Sequence, residues 1–106
     1  MAKYLIKGSY TADGTKGLLK EGGAKRVAAV QNVIEGLGGK LETLYFTFGD
    51  ADVLAIVDLP DAVSAAAFSL AVSATGAVQT STTPLLTPQE IDQACKKSVK
   101  YRAPGA

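Results

Sequence analysis

The side chains that could do chemistry gather around one short segment and one neighbouring strand. The segment is Gly49-Asp50-Ala51-Asp52, set between the apolar runs 45–48 and 53–59. Two carboxylates beside a glycine can form a turn, because glycine accepts positive φ and Asp side chains take hydrogen bonds from nearby amides. They can also present Asp52 to a cavity between subunits, beside Tyr45 or Tyr10. Lys7 lies within a strand-like segment, where an unpaired ammonium would be costly to bury. It can pair with Asp52 or Asp58, reach solvent along its own stem, or meet an anionic or carbonyl ligand. Tyr10, at the end of the same segment, is placed to be a pocket wall. The candidate ligand-binding set is therefore Lys7, Tyr10, Tyr45, Gly49 and Asp52, with the turn as the first expectation for the Gly-Asp segment. No residue is assigned a catalytic or metal-binding role.

What is missing narrows the chemistry further. The chain has no histidine and one cysteine, Cys95. That excludes a conventional structural zinc site, an axial haem histidine, and Ser-His-Asp or Cys-His catalysis. Acid–base work would fall to Asp, Glu, Lys or Tyr. "GSYTADGTKG" lacks the Gly-Lys-Ser/Thr ending of a phosphate loop, and "GLGGK" closes a helical pattern instead of opening one. No cofactor is expected. Cys95 reads as a helix-packing residue. Lys20, Lys25 and Arg26 in "KEGGAKR" read as a solvated helix face, and Lys96, Lys97, Lys100 and Arg102 as favourable charges at a helix C-terminus.

At 106 residues and 47% apolar, the chain suits one domain, 1–106, with a proper core. A net charge of +1 gives no electrostatic reason to bind nucleic acid or an anionic membrane. No apolar run reaches membrane-spanning length, and the N-terminal apolar stretch is too short for a signal peptide, so a cytoplasmic protein is expected.

These residues must be positioned by a small set of elements. Residues 3–10 alternate as a first strand. A helix is expected over roughly 15–37, with Val27, Val30, Ile34 and Leu37 on one stripe, broken or closely packed at Gly22-Gly23 and stopped at Gly38-Gly39. Strand-like residues 40–48 place Glu42, Leu44, Phe46 and Phe48 on one face, and Leu41, Thr43, Tyr45 and Thr47 on the other. The apolar run 53–59 suits a central strand covered on both sides. Asp61 then caps an Ala-rich helix expected to pack over most of its surface. A polar fourth strand, residues 77–84, suits an edge, and Thr87-Pro88-Gln89-Glu90 is a capping box for a short helix to about Ser98.

The order β-α-β-β-α-β plus a terminal helix implies an α+β, ferredoxin-like sandwich with strands one and three in the centre. One helical layer covers one sheet face. Both alternating sets in the first three strands carry large apolar groups, so the remaining face calls for a second copy.

The segments "GLLKEGGAKR" (17–26), "LGGKLETLYFTFGDADV" (37–53), "LAVSATGAVQT" (70–80) and "PLLTPQEIDQACKKSVKYRAPGA" at the end occur together and in order. In them the chain resembles the GYD-domain family of small bacterial proteins. Gly49 and Asp52 match that family's Gly-x-Tyr-Asp pattern, while Ala51 stands at the tyrosine position. The resemblance implies the dimeric α/β-barrel class and a homodimer or higher homo-oligomer. The capped helix after Thr87, with Val99, Tyr101 and Pro104 in the tail, makes residues 84–106 an expected oligomer contact. The expected function is a non-catalytic small-ligand-binding or assembly module. A cofactor-independent isomerase or monooxygenase, with its pocket between paired sheets, is the alternative.

Overall fold

The computed structural model describes residues 1–106. Strand β1 (Ala2–Tyr10) leads into helices α1 (Ala12–Glu21) and α2 (Gly23–Gly36). Strands β2 (Lys40–Phe46) and β3 (Val53–Leu59) form a hairpin. Helix α3 (Ala62–Ala74), strand β4 (Val78–Leu85) and helix α4 (Pro88–Cys95) complete the chain. The sheet is antiparallel throughout, in the order β2-β3-β1-β4, so the most apolar strand is central and the threonine-rich one is an edge. No helix is long and apolar enough to cross a membrane.

Local chemistry explains the boundaries. Thr11, at ψ 175°, accepts the Gly14 amide and begins α1 three residues before the expected start. Its own hydroxyl donates to Gly76 O at 2.9 Å, tying the β1–α1 junction to the turn before β4. The expected break falls at Gly22, whose φ of +85° ends α1. Helix α2 stops in a Schellman motif. Gly38, at φ +81°, donates to Glu35 O, and Gly39 donates to Ile34 O, both at 2.9 Å. Helix α4 has the full capping box: Glu90 N donates to Thr87 Oγ1, and Thr87 N to Glu90 Oε1. It ends at Cys95, a turn short of the expected length.

The core lies between the sheet and α2/α3. Tyr4, Ile6, Val57 and Leu59 from the central strands meet Ile34, Ala65 and Phe68 from the helices. Ile34, Val57 and Leu59 are fully buried, each contributing about 1.5–3 kcal/mol. On α2 the expected stripe holds, with Val30 and Leu37 packed beside Ile34.

Three expectations are corrected. Strand β2 is shorter, ending at Phe46, and it carries a bulge between Leu41 and Thr43. Leu41 therefore pairs with Val57 and shares the helix-facing side with Leu44 and Phe46, while Glu42 joins Thr43 and Tyr45 on the opposite side. Strict alternation fails because the extra residue shifts the side-chain phase. Within this chain, β3 is covered on one face only. Helix α3 likewise packs on one side: Ala65 and Phe68 are buried, but Val63 and Leu70 are 77% and 72% exposed. One sheet offers it only one neighbour.

Helix α4 and residues 96–106 stand away from the sandwich, with every residue from Leu86 onward exposed. The radius of gyration is 16.8 Å, against about 13 Å for a compact chain of this length.

Close packing at Gly39 can be tested. A Cβ there would lie 2.2 Å from Asp58 O, whereas one at Gly17, inside α1, meets nothing. Gly39→Ala is expected to cost about 1–3 kcal/mol or more, and Gly17→Ala to stabilise by about 0.5–1 kcal/mol, in urea unfolding. A second test concerns the α3 cap. The Ser64 backbone amide, then its hydroxyl, holds the Asp61 carboxyl below its usual range. Stability from this cap is complete above pH 3.8 and is lost as pH falls through the depressed value. Asp61→Asn, which keeps an acceptor, should therefore lose less melting temperature than the native chain between pH 5 and about pH 2.

Candidate functional site

The Gly-Asp segment forms a closed loop, residues 47–52, between β2 and β3. Thr47 N donates to Asp52 O at 2.8 Å and Thr47 Oγ1 to Ala51 O at 2.6 Å, drawing the two ends together. Asp52 N donates to Gly8 O at 2.8 Å. The Asp52 carboxylate accepts the Tyr10 amide, also at 2.8 Å. Asp52 thus stitches the hairpin to the end of β1 by backbone contacts in both directions. Gly49 adopts φ +145° in open space, and Phe48 beside it is fully exposed.

The sheet face away from the helices is ordered in cross-strand rows. Register places Tyr45, Leu54, Lys7 and Ser81 in one row and Thr43, Ile56, Leu5 and Thr83 in the next. At the far end Lys3 Nζ donates to Glu42 Oε1 at 2.8 Å and to Asp58 Oδ1 at 3.0 Å. Hydrogen bonding to Glu42, then to Asp58, raises the Lys3 pKa above its usual 10.5. The cluster's contribution is therefore present below that pH and is lost as pH rises through the raised value. Lys7 makes no ion pair. It lines a shallow polar hollow of about 230 Å³ with Ser9, Asp50, Ala51, Gln79 and Ser81.

On the helix side of the same strands lies a crevice of about 60 Å³. Its floor includes Gly8 and Ala55, the smallest residues of β1 and β3, under the split between α2 and α3. Phe46, Val72, Val30 and Phe68 are among its walls. Tyr10, Arg26, Val72 and Val78 line both this crevice and an outer groove of about 320 Å³ against α1.

The candidate residues are thus divided. Lys7 and Tyr45 share a row on the open face, and Lys7 reaches the loop through Asp50 and Ala51. Tyr10 lies on the other side of the sheet, in the crevice, joined to Asp52 only through its backbone amide. A family model for the GYD domain matches residues 4–95. This chain belongs to the GYD-domain family. Comparison with curated proteins and with solved structures gives no match. The match runs from β1 through the last residue of α4. Within this GYD domain, the Gly-x-Tyr-Asp pattern falls on the loop, where Asp52 has a backbone-joining role and Ala51 is half-buried.

Sequence reasoning missed Arg26. It was expected on a solvated helix face, yet it is half-buried at the mouth of the crevice. The signal was present in part: Arg26, Val30 and Leu37 follow the helical spacing of the core-facing stripe.

The loop predicts its own mutational response. Asp52→Ala orphans the Tyr10 amide and is expected to cost about 1–3 kcal/mol. Asp52→Asn, which retains an acceptor, should cost less. Gly49→Val should cost about 1–3 kcal/mol through its positive φ alone, since no neighbour blocks a side chain there. Urea unfolding of the three variants measures all of this.

Proposed function

We propose that this GYD domain is a non-catalytic binding module that works as a homo-oligomer, built by pairing open sheet faces across a twofold axis as in a dimeric α/β barrel. The open face carries this reading. Leu5, Leu54 and Ile56, each half-buried, lie in two adjacent rows with exposed Tyr45 at their edge, on the face away from α2 and α3. Polar ends frame the patch, the Lys3–Glu42–Asp58 cluster at one and the Lys7 hollow at the other. A patch of this kind on a monomer is a liability, and an isologous pair removes it from water on both copies at once.

The C-terminal arm supports the same reading. Helix α4 has a complete N-terminal capping box and lies inside the family match, yet every one of its residues is exposed. Ile91, Val99 and Tyr101 are exposed along it. A helix of eight residues is too short to be held by propensity alone, so a neighbouring copy is its natural support.

Light scattering at micromolar concentration is expected to give a dimer or a larger closed oligomer and no monomer. Ile56→Lys should release monomer and lower the melting temperature. Deleting residues 86–106, which leaves β4 whole, should reduce the assembly or its solubility. A native chain that is monomeric with ordinary cooperative unfolding would overturn the assembly. A truncated chain of unchanged size and melting temperature would remove the arm from it.

A further inference from the structure

We propose that the crevice between the sheet and helices α2/α3 binds a small apolar monocarboxylate, with Arg26 holding the carboxylate at the mouth. This site lies on the opposite side of the sheet from the proposed interface, so it stands or falls independently of the assembly.

Three observations converge on it. The first is shape. Gly8 and Ala55 keep the floor low while Phe46, Phe68 and Val72 raise walls around it, leaving about 60 Å³ empty. The floor cannot readily be filled from below, since a Cβ on Gly8 would lie 2.8 Å from Val53 Cγ1 and 3.2 Å from Val78 Cγ1. The second is chemistry. The lining is apolar except for Tyr10, Thr80 and Arg26, and Arg26 is its one charged group. A short hydrocarbon end gains by entering such a space, and a neutral polar one does not. The third is the state of Arg26. Arg26 is half-buried as a residue, and its guanidinium makes no ion pair and no side-chain hydrogen bond, although Asp13 and Glu21 line the outer groove beyond it. Guanidinium stays charged and matches a carboxylate in a two-bond fork. A cation left unpaired beside apolar walls makes a carboxylate the complementary head group.

The geometry sets the orientation and an upper size. The apolar end enters over Gly8 and Ala55, and the carboxylate stops at Arg26 where crevice and groove meet. The acids of the outer groove oppose a second negative charge, so a monocarboxylate is preferred to a dicarboxylate.

Binding is tested on the full chain with propanoate, isobutyrate and their amides, acids whose short apolar ends suit a space of about 60 Å³, followed by amide NMR shifts and calorimetry. The carboxylates should shift Gly8, Ala55, Val72 and residues of α2 around Arg26, and each amide should bind at least about tenfold more weakly. Arg26→Gln should abolish the preference for acid over amide, with the oligomer size unchanged. Val72→Phe, at the half-buried mouth, should block both acid and amide while retaining cooperative unfolding. Absence of crevice shifts with either acid overturns the proposal, as does equal binding of acid and amide or full carboxylate affinity in Arg26→Gln. If light scattering finds a monomer while the crevice still binds acid, the assembly reading fails alone.

Discussion

Pairing of Ala2–Gly8 with Val53–Leu59 at the centre of the sheet is the constraint from which the remaining architecture follows. Because side chains alternate across a sheet, this ladder sends Tyr4, Ile6, Val57 and Leu59 toward the helices and Leu5, Leu54 and Ile56 the other way. The outward set also holds Lys3, Lys7 and Asp58, so a one-residue slip would turn these charges toward the core, and alternation opposes it. One further contact supports the register. Asp52 binds Gly8 O and the Tyr10 amide, which pins the start of β3 to the end of β1. On the other side of β3, Gly39 lets the chain enter β2 so close to Asp58 O that no side chain fits between them, which holds β2 against β3. The loop therefore helps to fix the central register.

Much of this was legible in the sequence. The element order, the central and edge strands, the extent of β3, the Asp61 cap, the capping box at Thr87 and the glycine stops all arise from local chemistry and were read from local residues. What failed to read depends on partners distant in sequence. The bulge at Leu41/Thr43 satisfies β3 opposite β2, and nothing within residues 40–46 marks it. Thr11 was passed over as a cap because the following Ala-Asp-Gly resembles a turn, and its tie to Gly76 joins positions far apart. The helix α3, apolar all round, reads as buried on every side; within one chain only its Ala65/Phe68 side has a neighbour.

The candidate site was less legible, for a related reason. Lys7 and Tyr10 were both candidates, and the alternation of residues 3–10 already sends them to opposite faces, as the structure has them. Lys7 joins Tyr45 across β3, and Tyr10 joins Arg26 across the α2–sheet gap. The crevice itself depends on the absence of side-chain volume at Gly8 and Ala55 directly below the place where two helices part. Small residues of that kind look unremarkable in a sequence. Only the β1–β3 register brings them together.

The same alternation separates the two surfaces in space while keeping them on shared backbone. Ala55 belongs to the crevice floor, and its neighbours Leu54 and Ile56 belong to the open face; Gly8 stands in the same relation to Lys7 and Ser9. Side-chain changes on one face leave the chemistry of the other intact, but any change in strand position reaches both. The groups available also differ in kind. Arg26, Tyr10 and Thr80 offer the crevice hydrogen-bond donors around a fixed positive charge, the equipment for holding an anion. Among groups able to act as acid or base, Tyr10 lines the crevice, and no carboxylate or amine does. The carboxylates nearest to it take other positions: Asp52 accepts the Tyr10 amide, and Asp13 and Glu21 lie in the outer groove. On the proposed binding reading, the ligand's charge lies at the mouth beside Arg26 and its apolar end lies over Gly8 and Ala55.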